Sequence, residues 1–310
     1  MSRRVRVGLV GLGHMGRLHL KRLLELPAAE VVALFDTDSA VVQALQAQGL
    51  PVVPSYEALL EASEAVIIAS PTPTHAAYAE AALRTRRHVL IEKPVTTSLE
   101  ALERLLTLQD EAGVVALVGH IERFNPAFQA LWPLRQQFHH FSFERLAPWT
   151  PRGSEVSVVL DLLVHDLDLF WALTEGCIAD LRAVAYRTFT EKADTVQVWI
   201  DLVDGRGASF SISRNAPYRQ RRFLAHGPTL WAEANLLTRT VQLWDITSNP
   251  PQSLPLPIPH ADALQAELEH FLQVITEGLA SPLSLEHVYG VMLWAWKVEA
   301  LAEQRLVFAP

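Results

Sequence analysis

Cysteine is nearly missing from this chain of 310 residues, in which Cys177 has no second cysteine to pair with. An internal disulfide is therefore excluded, and so little cysteine favours a reducing compartment, with the cytoplasm as the expected location. The chain also lacks any run of about 18 consecutive apolar residues, the length that a membrane-spanning helix needs. The apolar run near the N-terminus is short and broken by glycine, which indicates a first strand rather than a signal peptide.

Positive charge is in short supply as well. The chain has 26 Lys and Arg against 34 Asp and Glu, which gives a formal net charge of −8. Nucleic-acid-binding proteins concentrate basic residues on one face, so we expect no nucleic-acid partner. Because 50% of the residues are hydrophobic and only 19% are charged, the chain can bury a large core, and its length favours two domains.

The order of the predicted elements differs between the two parts of the chain. Up to Gly119, short apolar runs alternate with helical patterns, which predicts an α/β domain with a parallel sheet over residues 1–120. Residues 121–310 contain stretches of period two joined by Asp204-Gly205, which predicts an antiparallel sheet. The proline-rich segment 252–261 is expected to cross the surface, and helices from Asp262 onward are expected to close an α+β domain.

A glycine motif follows the first predicted strand. Gly11, Gly13 and Gly16 have the G-x-G-x-x-G spacing, with His14 and Met15 between them at the start of a predicted helix. Such glycines permit a tight turn and close approach of the pyrophosphate of a dinucleotide, whose charge is favoured at the helix N-terminus. All five residues are predicted to bind the cofactor. The alternative is a glycine turn that only lets the helix pack.

Two further segments are predicted to contact the cofactor. Asp36 lies twenty residues beyond Gly16 at the end of the second strand, where its carboxylate is placed to accept hydrogen bonds from the ribose hydroxyls. The same charge would repel a 2′-phosphate, so NAD is predicted over NADP; the alternative role of Asp36 is to cap the next helix. Ser70, Thr72 and His75 follow another apolar strand, although this loop also has a simpler interpretation in which Thr74 caps a helix.

Lysine is scarce, so the lysine at the end of a buried strand requires an explanation. Lys93 follows the run HVLIE. A desolvated ammonium at this place is able to bind a substrate oxygen and stabilise its alkoxide character as a hydride leaves. The alternative is an ion pair with Glu92.

Acidic and histidine side chains interrupt the apolar run SVVLDLLVHDLDLF. Asp161, His165 and Asp168 have the i, i+4, i+7 spacing that predicts one shared helix face. A histidine oriented by a carboxylate is suited to accept the proton of an alcohol. A metal site is the weaker interpretation, because the other ligands are missing, and we predict none; a histidine on a purely structural helix is the other alternative.

Taken together, these motifs resemble the glucose-fructose oxidoreductase / inositol dehydrogenase (Gfo/Idh/MocA) family. The resemblance rests on Gly11 to Gly16, Asp36, Glu92-Lys93-Pro94 and the Asp161 to His165 segment. It implies that Lys93, His165 and Asp161 form the catalytic set, that Glu92 contacts the cofactor, and that the second domain has a large open antiparallel sheet used for oligomer contacts. Family members often have glycine two residues before the histidine, where this chain has Leu163.

The segment VGHIERFNP resembles the branch of this family that oxidises nucleotide-activated sugars such as UDP-N-acetylglucosamine. His120, Arg123 and Asn125 in this segment are predicted to bind substrate, as is Asp168, although Asn125 before Pro126 is equally suited to cap a helix. The sequence therefore predicts an NAD-dependent oxidoreductase that acts on a sugar and is a homo-oligomer. Two alternatives stay open, namely an NAD-binding redox sensor without turnover and a reductase of a non-sugar carbonyl or imine.

Overall fold

A computed structural model describes residues 3–151, 156–304 and 306–308. Their contacts divide the chain into two compact units. The first comprises Met1–Ile121 and Leu264–Tyr289, and the second comprises Glu122–Ala263 and Gly290–Pro310. The predicted domain boundary after residue 120 stays a prediction. By their contacts, residues 264–289 group with the N-terminal part of the chain.

A parallel sheet forms the centre of the first unit. Its five strands have the order β2-β1-β3-β4-β5. They are β1 (Val5–Val10), β2 (Ala29–Phe35), β3 (Ala65–Ile68), β4 (His88–Glu92) and β5 (Ala116–Gly119). All residues of β3 and β5 are buried. A strand that is buried on both faces needs a continuous apolar run, which is why the α/β prediction from this part of the sequence is confirmed.

Most helices of the first unit lie between these strands along the chain. The helices are α1 (His14–Glu25), α2 (Ser39–Gln46), α3 (Tyr56–Ala62), α4 (His75–Arg84), α5 (Leu99–Ala112) and α8 (Ala263–Glu277), the last of which begins at the border of the unit. Side chains cap several N-termini: Asp38 accepts from Ala40 N, and Ser98 accepts from Ala101 N. Such caps satisfy backbone donors that have no partner within the helix. None of the described helices is long and apolar enough to cross a membrane.

The second unit is built on a nine-stranded sheet with the order β13-β12-β11-β10-β6-β9-β8-β7-β14. The strands are β6 (His140–Leu146), β7 (Ile178–Arg187), β8 (Thr195–Leu202), β9 (Gly207–Ser213), β10 (Gln220–His226), β11 (Leu230–Asn235), β12 (Thr240–Asp245), β13 (Gln252–Leu254) and β14 (Leu306–Phe308). The pairing is antiparallel except for β6 with β9 and β14 with β7. The predicted antiparallel sheet is thus confirmed, and the proline-rich segment contributes one short edge strand.

One face of this sheet packs against helices through aromatic rings. The helices of the second unit are α6 (Pro126–Leu131), α7 (Val164–Thr174) and α9 (Leu285–Gln304), which begins in the first unit. The ring of Phe143 lies 5.0 Å from that of Phe210, and Phe170 of α7 lies 5.8 Å from Phe210. All three rings are buried, and each contributes roughly 1.5–3 kcal/mol of stability.

Candidate active site

The glycine turn after β1 cannot accept side chains at two of its three glycines. Gly11 has a φ of +84°, and a Cβ there would overlap the backbone of Ser70. A Cβ on Gly16 would overlap the carbonyl oxygen of Gly11. At Gly13, in contrast, a Cβ would have no described atom within 4 Å. Packing therefore explains Gly11 and Gly16, whereas Gly13 faces open space in which a ligand could approach the backbone.

The N-terminus of α1 lies directly beyond this open space. Gly13 precedes the helix, and among the described residues no side chain caps it and no acidic residue lies in its first turn. Its unpaired N–H groups and the helix dipole favour an anion. His14 is exposed and Met15 is half-buried at this end. The arrangement fits the pyrophosphate of a dinucleotide.

Asp36 completes this end of the sheet. Its Oδ2 accepts a hydrogen bond of 2.6 Å from Leu12 N, and its Oδ1 accepts one of 2.8 Å from Asp38 N. The cap of α2 is Asp38. The alternative in which Asp36 caps that helix is therefore wrong. Two backbone donors hold the Asp36 carboxylate beside the glycine turn, where it fits the ribose of NAD and would repel the phosphate of NADP.

The loop after β3 is tied to the loop after β4 by a histidine. His75 is buried, and its two ring nitrogens lie 2.9 Å from Pro94 O and 2.8 Å from Ser70 O. Burial lowers the pKa of His75. The hydroxyl of Thr74 bonds Ser70 Oγ and Pro71 O, so the alternative in which this side chain caps α4 is wrong. Thr72 lies half-buried in the same loop. Contact of this loop with the cofactor stays a prediction.

Glu92 and Lys93 lie at the carboxyl end of β4. Glu92 Oε1 is 2.7 Å from His19 Nε2 of α1, and Lys93 N donates to Glu92 Oε2 over 3.3 Å. Burial raises the pKa of Glu92, but the His19 hydrogen bond, together with the charges of His19, Lys93 and His75, outweighs burial and lowers it. A fixed carboxylate therefore lies directly before the half-buried Lys93. His19 is not among the residues predicted from the sequence, although its place three residues after Gly16 on the predicted helix was a usable signal.

The Asp161 to Asp168 segment differs from its prediction. Val159–Leu163 forms a π-helical turn, and α7 begins only at Val164. Asp161 and His165 are partly exposed, whereas Asp168 is fully buried. Their sharing of one face stays a prediction, because His165 and Asp168 lie three positions apart within α7, whereas the π turn between Asp161 and His165 departs from the 3.6 residues per turn assumed for that spacing. Leu163 has ordinary helical angles, φ −63° and ψ −33°, so no glycine is required there.

Several residues predicted to bind substrate form buried contacts within the second unit. The Arg123 guanidinium forms two hydrogen bonds with Asp168, of 2.6 and 2.8 Å. Asn125 caps α6 by accepting from Ala127 N, which confirms the capping alternative, and its amide donates to Glu122 Oε2. His120, at the end of the first unit, is buried as well. Contact of these residues with substrate stays a prediction.

A second buried guanidinium lies beside this group. Arg145 donates to both oxygens of Asp166, over 2.9 and 2.7 Å, and to Glu122 Oε1 over 3.0 Å. These opposite charges raise the pKa of Arg145 in spite of its burial. Burial, the largest effect, raises the pKa of Asp166, and Arg145 offsets it in part. The pairs explain why an apolar segment contains acidic residues that do not reach solvent.

Comparison with known proteins agrees with this arrangement. Residues 5–120 match the model of an oxidoreductase family with an NAD-binding Rossmann fold, and residues 131–232 match the GFO/IDH/MocA C-terminal domain. A UDP-N-acetylglucosamine 3-dehydrogenase of Acidithiobacillus ferrooxidans is 33% identical over 282 residues, which are 87% of this chain and 88% of that protein. An inositol 2-dehydrogenase of Rhizobium meliloti is 26% identical over 98% of both chains.

A solved structure extends the comparison to the fold. The UDP-N-acetylglucosamine 3-dehydrogenase GnnA of Acidithiobacillus ferrooxidans has a TM-score of 0.89 and 31% identity, and the match covers 98% of this chain and 99% of that one. The predicted family, fold class and cofactor are thereby confirmed. The chain belongs to the Gfo/Idh/MocA family of oxidoreductases, with an N-terminal NAD-binding Rossmann fold.

Proposed function

We propose that this protein is an NAD-dependent dehydrogenase that oxidises a hydroxyl-bearing carbon of a nucleotide sugar. UDP-N-acetylglucosamine, oxidised at carbon 3, is the substrate that the similarity favours most. The proposal rests mainly on one observation at the carboxyl end of β4. There, Glu92 lies within hydrogen-bond distance of His19 and directly precedes Lys93 in the chain. The comparisons also support it, because the UDP-N-acetylglucosamine 3-dehydrogenase of Acidithiobacillus ferrooxidans matches this chain over 88% of its own length.

The residues of the first unit fit the cofactor. The uncapped start of α1 and the open space at Gly13 would hold the pyrophosphate, and the Asp36 carboxylate would accept hydrogen bonds from the ribose. When bound, NAD supplies the acceptor for the hydride that leaves the substrate carbon. All other steps are proton transfers and positioning by the chain itself.

Lys93 is proposed to bind and orient the reacting hydroxyl. Its ammonium would donate a hydrogen bond to the substrate oxygen and stabilise the negative charge that develops there. The backbone on which it stands is fixed from two sides. Glu92 accepts from Lys93 N, and His75 lies within hydrogen-bond distance of Pro94 O.

His165 is proposed to take the hydroxyl proton, with Asp161 as the carboxylate that positions its imidazole. Both side chains are partly exposed, and both lie where the π turn leads into α7. Such turns are frequent at functional sites, since they change the direction of individual side chains. A histidine titrates near neutral pH and so suits a proton acceptor in this range.

The location and assembly of the protein are also proposals. We propose a cytoplasmic enzyme, which is supported by the single cysteine, Cys177, exposed and free as a thiol. We further propose a homo-oligomer that uses the nine-stranded sheet. Away from the aromatic core, this sheet exposes Tyr186 and Trp199, which are 43% and 40% accessible. Light scattering of the wild type and of Trp199→Glu tests the assembly: a monomeric wild type would contradict it.

The catalytic assignment is tested by turnover and cofactor binding in one set of variants. The wild type is incubated with NAD and a panel of nucleotide sugars while the nicotinamide absorbance is followed. Lys93→Met is expected to abolish turnover and to leave NAD affinity nearly unchanged. Lys297→Met, at an exposed position of α9, is the matched control and should behave like the wild type. Equal loss of turnover and NAD affinity in Lys93→Met would contradict the role of the lysine.

The same panel separates the alternatives. A redox sensor would bind NAD without reducing it in the presence of any sugar. A reductase of a non-sugar carbonyl would oxidise NADH with such a carbonyl while the sugars stay unreacted. Either result would overturn the proposed substrate class.

A further inference from the structure

A buried cluster lies behind Lys93, within the first unit. It consists of His19 of α1, Glu92 of β4 and Glu267 of α8, whose ligand atoms all lie within 4.8 Å of one another. The side chains of His19 and Glu92 are 0% and 12% exposed, and Glu267 is 1% exposed. Two carboxylates and an imidazole therefore share one small volume that is largely closed to solvent.

Glu267 is the unexplained member of this cluster. Both of its carboxylate oxygens are buried, and neither has a hydrogen-bond partner among the described residues. Burial, and then the negative charge of Glu92, raise the pKa of Glu267 well above its usual value. An isolated buried carboxylate is strongly unfavourable, so Glu267 must either hold a proton or share a cation with its neighbours.

The distances argue against a cation. A tetrahedral ion with ligand bonds of about 2.0–2.1 Å keeps its ligand atoms roughly 3.3 Å apart. His19 Nε2 and Glu92 Oε1 are only 2.7 Å apart, which is the distance of a hydrogen bond. Over the described residues His19 Nδ1 has no partner, so the ring's hydrogen bond within the cluster is made through Nε2. The cluster already contains one proton between two of the atoms that a metal would need.

We propose that Glu267 is held as a neutral carboxylic acid and acts as a positioning residue for Glu92, and through Glu92 for Lys93. Its O–H would donate to the Glu92 carboxylate directly after a small rotation or through one water molecule, since the separation exceeds a direct bond. Glu92 would then have three donors around it: His19 Nε2, Lys93 N and the Glu267 hydroxyl. This inference rests on the proposed function of Lys93.

A neutral Glu267 has a consequence for charge. If Glu267 were ionised, two carboxylates less than 5 Å apart would repel each other, and one of them would take up a proton. A proton on Glu92 would weaken its hydrogen bond to His19 and remove its attraction for Lys93. The other charged or titratable groups that act on Glu92 are His19, Lys93 and His75. By keeping the proton itself, Glu267 keeps Glu92 negative beside the lysine.

The protonation state is tested directly by infrared spectroscopy of the full-length protein. The spectrum of the wild type at neutral pH is expected to contain the C=O band of a buried protonated carboxyl, which should disappear in Glu267→Gln. Glu269→Gln on the exposed side of the same helix is the matched control and should keep the band. A wild type without this band, or one that purifies with an equimolar metal ion at the cluster, would overturn the inference.

The positioning role is tested by two substitutions that differ in hydrogen bonding. Glu267→Gln keeps an N–H donor toward Glu92 and should retain most of the wild-type kcat. Glu267→Met has no donor and should lose roughly 10- to 100-fold in kcat, as for one hydrogen bond to a charged group, with little change in NAD affinity. Equal kcat values in the two variants, each confirmed to be folded, would overturn the role. If Lys93→Met stayed active while the infrared band was present, the catalytic assignment would fail but the neutral acid would stand.

Discussion

The open space at Gly13 allows a test that separates cofactor affinity from packing. Gly13 has a negative φ of −66°, and a Cβ there would contact no described atom. Gly13→Ala should therefore fold, and its free energy of unfolding without cofactor should change far less than that of Gly16→Ala.

Affinity for NAD should fall in the same variant, because the added methyl group would occupy space that the proposal assigns to the pyrophosphate. Forcing a methyl group into a packed contact costs about 1–3 kcal/mol. This range corresponds to a Kd that is roughly 5- to 150-fold weaker. Calorimetric titration with NAD measures the affinity, and urea unfolding without cofactor measures the stability.

Gly16→Ala provides the contrast, since its Cβ would overlap the Gly11 carbonyl oxygen. This variant should be destabilised even without NAD. Should Gly13→Ala bind NAD as tightly as the wild type, the pyrophosphate cannot lie against this glycine. A loss of stability in Gly13→Ala equal to that in Gly16→Ala would show that packing, and not the cofactor, explains both positions.

Three further predictions concern the cofactor choice and the buried polar groups. Asp36→Ser should weaken NAD binding and improve NADP binding, because the charge that repels the 2′-phosphate is gone; parallel titrations with both cofactors check this, and an unchanged preference would contradict it. Asp166→Ala should lower the free energy of unfolding by about 3–5 kcal/mol, because it leaves the buried Arg145 without its bidentate partner. Asp180→Ala should change it by less than about 1 kcal/mol, because Asp180 and its partner Arg182 are both exposed. Urea unfolding measures both, and similar values would refute the contrast. Asn125→Ala should cost about 1 kcal/mol or more from loss of the α6 cap, and an unchanged urea midpoint would show that the cap contributes nothing.

Local signals in the sequence predicted the first unit well. The alternation of short apolar runs with helical patterns reflects strands that are buried on both faces, as in β3, where every residue is buried. The glycine spacing and the distance to Asp36 are set by one strand, one helix and a second strand, so they are properties of a continuous segment. Such properties can be predicted without knowledge of distant contacts.

The contacts that the sequence could not predict join distant residues. His19 and Glu92 are 73 positions apart, and Arg123 and Asp168 are 45 positions apart. Nothing in the local pattern distinguishes a carboxylate that awaits a substrate from one that pairs with a buried guanidinium. For this reason Asp168 was grouped with His165 and Asp161, although it faces Arg123 in the interior.

The π turn at Val159–Leu163 is a second feature that the sequence pattern could not predict. Periodicity arguments assume 3.6 residues per turn, and a single wider turn changes which residues share a face without any change in composition. The burial of the acidic residue Glu267 is a third such feature. It lies on a helix whose spacing looks ordinary, and only the fold places it beside Glu92.

Transfer of a labelled hydrogen tests the central claim most directly. UDP-N-acetylglucosamine with deuterium at carbon 3 is incubated with NAD and the full-length protein, and the reduced nicotinamide is examined by NMR. Direct hydride transfer predicts deuterium at carbon 4 of the nicotinamide and a keto group on the sugar, and Lys93→Met should form neither. Reduced nicotinamide without deuterium, or no reduction when both substrates are saturating, would contradict the proposed activity.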